Sequence, residues 1–133
     1  MFNRTPLDVI KGIRKGKVDK TTYLTQIFSE VKDEIKSADL HVKANAIKKL
    51  FVLAHENYDM VWASFNVLEI MSSNKVSHKR TGFLIASLVF PLSSDTLFLS
   101  CNLFRRELIA KEHLDTCIAL NCLSCVMDAT MAE

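Results

Sequence analysis

Turn-forming residues are scarce in this chain, which holds three glycines and two prolines among 133 residues. A β-rich fold needs a tight turn about every ten residues, so that class is excluded. Long apolar runs are missing as well. The longest apolar window, 83–104, is broken by Pro91-Leu92-Ser93-Ser94-Asp95. Its unbroken part falls far short of the roughly 20 residues that cross a bilayer. No secretory leader is expected, because Met1-Phe2-Asn3-Arg4 is not followed by an apolar core and a small-residue cleavage site. Charge of one sign is lacking too. The formal net charge is +2, too small to point to nucleic acid, although residues 4–20 are locally basic. There Arg4, Lys11, Arg14, Lys15, Lys17 and Lys20 face only Asp8 and Asp19. Catalytic signatures are equally absent: no Gly-rich phosphate loop, no Gly-x-Ser-x-Gly elbow and no His-Glu-x-x-His occurs.

What is abundant is apolar surface at helical spacing. Hydrophobic residues make up 49% of the chain. Within 42–92, three successive segments are apolar around most of their circumference, so each must be packed on several sides. That describes stacked helical hairpins rather than a bundle with one wet face. A first short helix is expected over 3–17, with Pro6 in its first turn and Leu7, Ile10 and Ile13 on its apolar side. Gly12 and Gly16 weaken it, so it needs a partner surface. Asp19 caps a second helix over 20–37, the one cleanly amphipathic element, with Leu24, Ile27, Phe28, Val31 and Ile35 at helical spacing. Asp39 caps a third (40–56) and Asp59 a fourth (60–73). Ser77 starts a fifth, which Pro91 stops. Ser93, Ser94 or Asp95 caps a sixth, to about residue 110, and Asp115 or Thr116 starts a seventh, through 126. Residues 128–133 read as the first turn of another helix. Helix starts near Leu40, Ser77 and Leu114 recur at about 37 residues, within the range of armadillo and HEAT repeats (roughly 40). The expected fold class is all-α, an α-α superhelix of armadillo or HEAT type, truncated as an N-terminal fragment of a longer protein.

Two constellations invite chemistry. Cys122 and Cys125 share a helix face near Cys117 and His113, but a zinc site needs four ligands and no second pair exists. Buried reduced thiols are the simpler reading, and neither metal nor cofactor is expected. The histidines at 41, 55, 78 and 113 are scattered without a carboxylate at a fixed offset. Trp62, with Phe65 one turn on, reads as core. The basic run Lys75, His78, Lys79, Arg80 sits at a helix start, where positive charge opposes the helix dipole. Such a cluster hints at an anionic partner or membrane headgroup, with Lys43 added if its helix turns outward.

Read together, Val42-Lys43-Ala44-Asn45-Ala46, Trp62-Ala63-Ser64-Phe65-Asn66 and Lys79-Arg80-Thr81-Gly82-Phe83-Leu84, in this order and spacing, resemble the N-terminal trunk of the large adaptin subunits of clathrin-adaptor-type complexes. Tyr58-Asp59, Met71-Ser72 and Leu123-Ser124-Cys125 extend the likeness, which is strongest to the delta branch found in adaptor protein complex 3. The resemblance implies a curved α-solenoid in a heterotetramer with a beta large subunit, a mu medium subunit and a sigma small subunit. It implies cytoplasmic residence, peripheral on Golgi or endosomal membranes, and cargo sorting toward lysosomes or vacuoles. An Arf-type GTPase and phosphoinositide-containing membrane are implied partners, and the first helices (1–37) would face sigma while 38–133 form stacked hairpins. It further implies that an arginine at the end of the first helix receives the acidic residue of an acidic dileucine signal; Arg14 holds that place, and its planar fork suits a carboxylate. Some positions depart from the family pattern. Lys43 is followed by Ala44 and Asn45 where the endocytic relative has a lysine triplet for phosphoinositide. Glu56-Asn57-Tyr58 stands for the more frequent Leu-Gly-Tyr, and Arg80-Thr81-Gly82 for Arg-Ile-Gly.

Two other readings compete. A generic armadillo or HEAT peptide receptor, such as a nuclear transport factor, would carry a repeated Trp/Asn ladder, whereas Trp62 is the single tryptophan. A small helical enzyme would have to use Cys122 and Cys125. The ordered motifs favour the adaptor scaffold.

Overall fold

Capping residues and helical periodicity set the elements. The structure, a computed structural model, describes residues 4–16, 19–90 and 94–127. Among these it shows no strand and seven helices: α1 (Pro6–Lys15), α2 (Lys20–Glu34), α3 (Leu40–His55), α4 (Ser64–Met71), α5 (Val76–Val89), α6 (Ser94–Leu108) and α7 (His113–Val126). No helix among the described residues is long and apolar enough to cross a membrane. The all-α expectation holds. Contacts divide the chain into two compact units, Met1–Asp59 and Met60–Glu133. The packing boundary thus lies after α3, later than the functional division at 37/38 that the resemblance implies.

In the first unit α2 and α3 pack on each other and α1 packs chiefly on α3. Asp19 caps α2 through the Thr22 N–H, and Asp39 caps α3 through the His41 N–H, both as expected. Leu24, Ile27, Val31 and Ile35, one stripe of α2, are buried together with Ala44, Ala46, Ile47, Leu50 and Leu53 of α3. Each fully buried branched side chain of this kind contributes about 1.5–3 kcal/mol. Lys49 is buried in α3 and its ammonium reaches both carboxylate oxygens of Glu34 on α2, at 2.7 and 2.6 Å. After α3 the backbone turns through Asn57, which holds φ 61°. The Tyr58 N–H bonds the Leu53 carbonyl and the Asn57 N–H bonds that of Ala54, a Schellman closure. The left-handed residue in that closure is most often glycine, and asparagine is its commonest substitute. The departure from Leu-Gly-Tyr therefore keeps the geometry.

In the second unit α4 packs on α5 and α6, and α7 on α5 and α6. The fourth helix is shorter than expected. A 3-10 turn (Val61–Ala63) precedes it and Met60, not Asp59, holds the N-terminal flank without a side-chain cap. Trp62 is half-buried and Phe65 is 66% exposed, so Phe65 is not core. Gly82 lets α5 approach α4 closely: a Cβ there would lie 2.7 Å from the Met71 backbone nitrogen. Phe83 and Phe104 meet edge to face at 5.6 Å between centroids. Helix α5 begins at Val76 and α7 at His113, one and two residues before the expected starts. Pro91, Ser93 and the turn expected over 128–133 lie outside the described residues.

Candidate functional site

Helix α1 carries the residue with the clearest expected role. Its start is fixed by a capping box: the Asp8 N–H donates to the Thr5 hydroxyl oxygen, while the Thr5 N–H and hydroxyl donate to the Asp8 carboxylate at 2.9 and 2.7 Å. Those side-chain and backbone hydrogen bonds from Thr5, aided by the charges of Lys11 and Lys49, hold the Asp8 carboxyl below its ordinary range. Gly16 ends the helix in the left-handed region, φ 59°. The inward side is Val9, fully buried, and Gly12, where a Cβ would sit 2.1 Å from the Tyr23 hydroxyl. Tyr23 donates to the Asp8 carbonyl, and the Arg4 guanidinium lies 5.5 Å over its ring and 3.6 Å from Glu30.

That docking turns the other side out. Leu7 is 60% exposed and Ile10 38%, while Ile13 is half-buried, so two of the three residues on the expected apolar side are left uncovered. Leu7, Ile10 and Arg14, at i, i+3 and i+7, share one helix face. Arg14 is exposed in the last turn beside exposed Lys11 and Lys15, and among the described residues no carboxylate pairs with it. A cation there also complements the helix dipole. The arrangement offers a guanidinium at one end of an apolar strip.

The four cations expected on an anionic surface separate into two pairs. Lys75 and Arg80 are exposed, but Lys43 and Lys79 are buried. Lys79 is turned inward because two carboxylates wait there: its ammonium donates to Glu107 of α6 and Asp115 of α7, each at 2.8 Å. Glu107 also accepts from the Arg106 side chain at 2.8 and 2.7 Å. Burial pushes the Lys79 ammonium down, but the hydrogen bonds and charges of Asp115 and Glu107 outweigh it and leave it above the ordinary lysine range. Lys79 is therefore a structural cation joining three helices, and not a membrane contact. Asp115, expected as a helix start, is the inward acid of this cluster. The sequence signal was a lysine and an aspartate near the starts of α5 and α7, 36 residues apart, close to the spacing of about 37 between the recurring helix starts.

The cysteines do not assemble a site. Cys122 is buried and its thiol is pushed up to about 12 by burial and by the neighbouring Cys125, whereas Cys125 is exposed. Among the described residues no group of three or more His, Cys, Asp or Glu is placed to hold a metal.

The adaptin N terminal region matches residues 20–133 as a family. The chain belongs to the adaptin family. Along its whole length this adaptin is 39% identical to AP-3 complex subunit delta-1 of Bos taurus and 37% identical to AP-3 complex subunit delta of Dictyostelium discoideum. To AP-3 complex subunit delta of Saccharomyces cerevisiae it is 39% identical over 99% of its length. It spans 11%, 12% and 15% of those three relatives, respectively. All three relatives are delta subunits of AP-3 complexes.

Proposed function

We propose that this adaptin is the N-terminal part of a large-subunit scaffold in a heterotetrameric vesicle-coat adaptor. In this reading it sorts cargo from Golgi or endosome to lysosome or vacuole, in the cytoplasm and peripheral to the membrane. Its first helices hold the sigma small subunit, and the beta and mu subunits complete the complex. Arg14 receives the acidic residue of an acidic dileucine signal presented with sigma. One observation carries this: the Arg14 guanidinium, which no carboxylate among the described residues pairs, shares a face with uncovered Leu7 and Ile10. A carboxylate meeting a guanidinium in two parallel hydrogen bonds is among the stronger polar contacts available, and uncovered apolar residues beside it suit a sibling subunit. Of the cations first assigned to an anionic membrane or partner, Lys75 and Arg80 remain exposed for such a contact, since Lys43 and Lys79 turn inward. An Arf-type GTPase bound on another face would recruit the assembly.

The test is co-expression with the sigma subunit of adaptor protein complex 3, then titration of an acidic dileucine peptide onto the purified pair. Arg14→Glu should leave the pair intact and weaken peptide binding by tenfold or more, about the value of one charged hydrogen-bonded contact. Unchanged peptide affinity in that variant would remove Arg14 from the site, and failure to pair with any sigma would remove the scaffold reading.

A further inference from the structure

Helices α5 and α7 leave a groove between them. Lys79 and Asp115, both near the starts of their helices, are bonded, so the two N-terminal ends lie together. The groove is open to solvent on one side, has a volume of about 350 Å³ and is lined by Arg80, Phe83 and Leu84 of α5 and by Leu114, Cys117, Ile118 and Asn121 of α7. That volume lies within the range of small-ligand and side-chain pockets, roughly 300–1,000 Å³. Leu84 and Leu114 are 49% and 55% exposed. At the N-terminal end the charge is positive: Lys75, Arg80 and Lys111 are exposed against Glu112. Arg80 has no carboxylate partner among the described residues, because the nearby acids Glu107 and Asp115 are taken by its neighbour Lys79. The N-terminal dipole ends of α5 and α7 add positive potential there.

We propose that this groove docks a short acidic–apolar segment of a partner protein, its carboxylates on Arg80 and its bulky apolar residues between Leu84, Leu114 and Ile118. The order of chemistry along the groove carries the assignment: guanidinium first, then an apolar slot, then the Asn121 amide. A side-chain amide both donates and accepts, which suits a peptide backbone and gives nothing to an acyl chain. Planar Arg80 pairs a carboxylate with two parallel hydrogen bonds. This site is separate from Arg14 and stands without it.

Cys117 lies in the groove and is exposed, while Cys125 is exposed on the same helix but outside the lining, so the chain carries its own reporter and control. The probe is the synthetic peptide Glu-Glu-Ala-Ala-Phe-Leu, titrated onto the full chain while maleimide labelling of each cysteine is followed by fragment mass spectrometry. Labelling of Cys117 should slow with peptide while that of Cys125 stays constant. Arg80→Glu should weaken this protection about tenfold, and Arg14→Glu should leave it unchanged. Because Arg80 is exposed, its replacement leaves the core intact, and peptide swaps test the idea without any variant. Lys-Lys-Ala-Ala-Phe-Leu and Glu-Glu-Ala-Ala-Ser-Ser should each protect at least tenfold more weakly. Absence of protection, or equal protection by the lysine peptide, overturns the proposal. So does protection by phosphatidylcholine vesicles in place of peptide, which would make the groove a bilayer contact. Loss through Arg14→Glu would likewise overturn it.

Discussion

Lys79 and Arg80 are adjacent in sequence and opposite in role. Successive helical residues point about 100° apart. Lys79 therefore enters the unit and meets Glu107 and Asp115, while Arg80 faces out. A buried cation bonded to two carboxylates cannot be removed alone, because its partners then remain charged in a poorly hydrated place. Lys79→Met should cost about 3–5 kcal/mol, whereas Arg80→Met on the surface should change stability by no more than about 0.5 kcal/mol. Urea unfolding of both variants measures the contrast. Adding Glu107→Gln and Asp115→Asn to Lys79→Met should recover much of the loss, because no uncompensated charge would then remain buried. Equal stability of the two single variants would show that the inward lysine is not ionised as the geometry requires.

At the scale of elements, the sequence placed most helices within a residue or two of where they lie. Asp19 and Asp39 announce α2 and α3 because a capping carboxylate next to an apolar period is a local signal. Where the signal was tertiary it was missed. Nothing local tells that Leu7 and Ile10 stay uncovered while Val9 and Gly12 dock, since that depends on Tyr23 filling the space beside Gly12. Nor does the run Lys75 to Arg80 reveal that one of its cations finds acids on two later helices. Family likeness alone singles out Arg14, and the structure adds that it is exposed on a face shared with Leu7 and Ile10. The α3 closure shows the opposite case, a departure that local chemistry explains. Asn57 sits at φ 61°, a region tolerated by asparagine and free for glycine. Asn57→Gly should therefore hold or slightly raise stability, and Asn57→Val should lower it by about 1–2 kcal/mol, the left-handed penalty for an ordinary side chain. Hydrogen exchange of the Tyr58 amide, which bonds the Leu53 carbonyl, would report the loss locally. A valine variant as protected as the parent would contradict the closure.

For the molecule, the two units differ in the direction in which their titrating groups are shifted, and this gives a pH profile with a predictable sign. In the second unit the Cys122 thiol is pushed from 9.0 to about 12, and Lys79 is held above its ordinary value. Both folded-state values exceed the unfolded ones, so both groups stabilise fully below the unfolded value and lose that contribution as pH rises. The unfolded thiol begins to ionise near 9 while the buried one stays neutral; Lys79 steepens the fall beyond its ordinary 10.5. At about pH 10.5 the thiol alone should remove about 2 kcal/mol, at 1.36 kcal/mol per unit. Trp62 is the single tryptophan and lies in the second unit, so its fluorescence during urea unfolding follows that unit. In the first unit Asp8 is shifted the other way, so its contribution is present above 3.8 and fades as pH falls. Cys122→Ala should make the second unit less stable near neutral pH, through the small cavity, yet flatten the decline between pH 9 and about 10.5. If the parent and Cys122→Ala lose stability equally over that interval, the thiol is not held neutral by burial, and α7 must be looser around it than its packing on α5 and α6 requires.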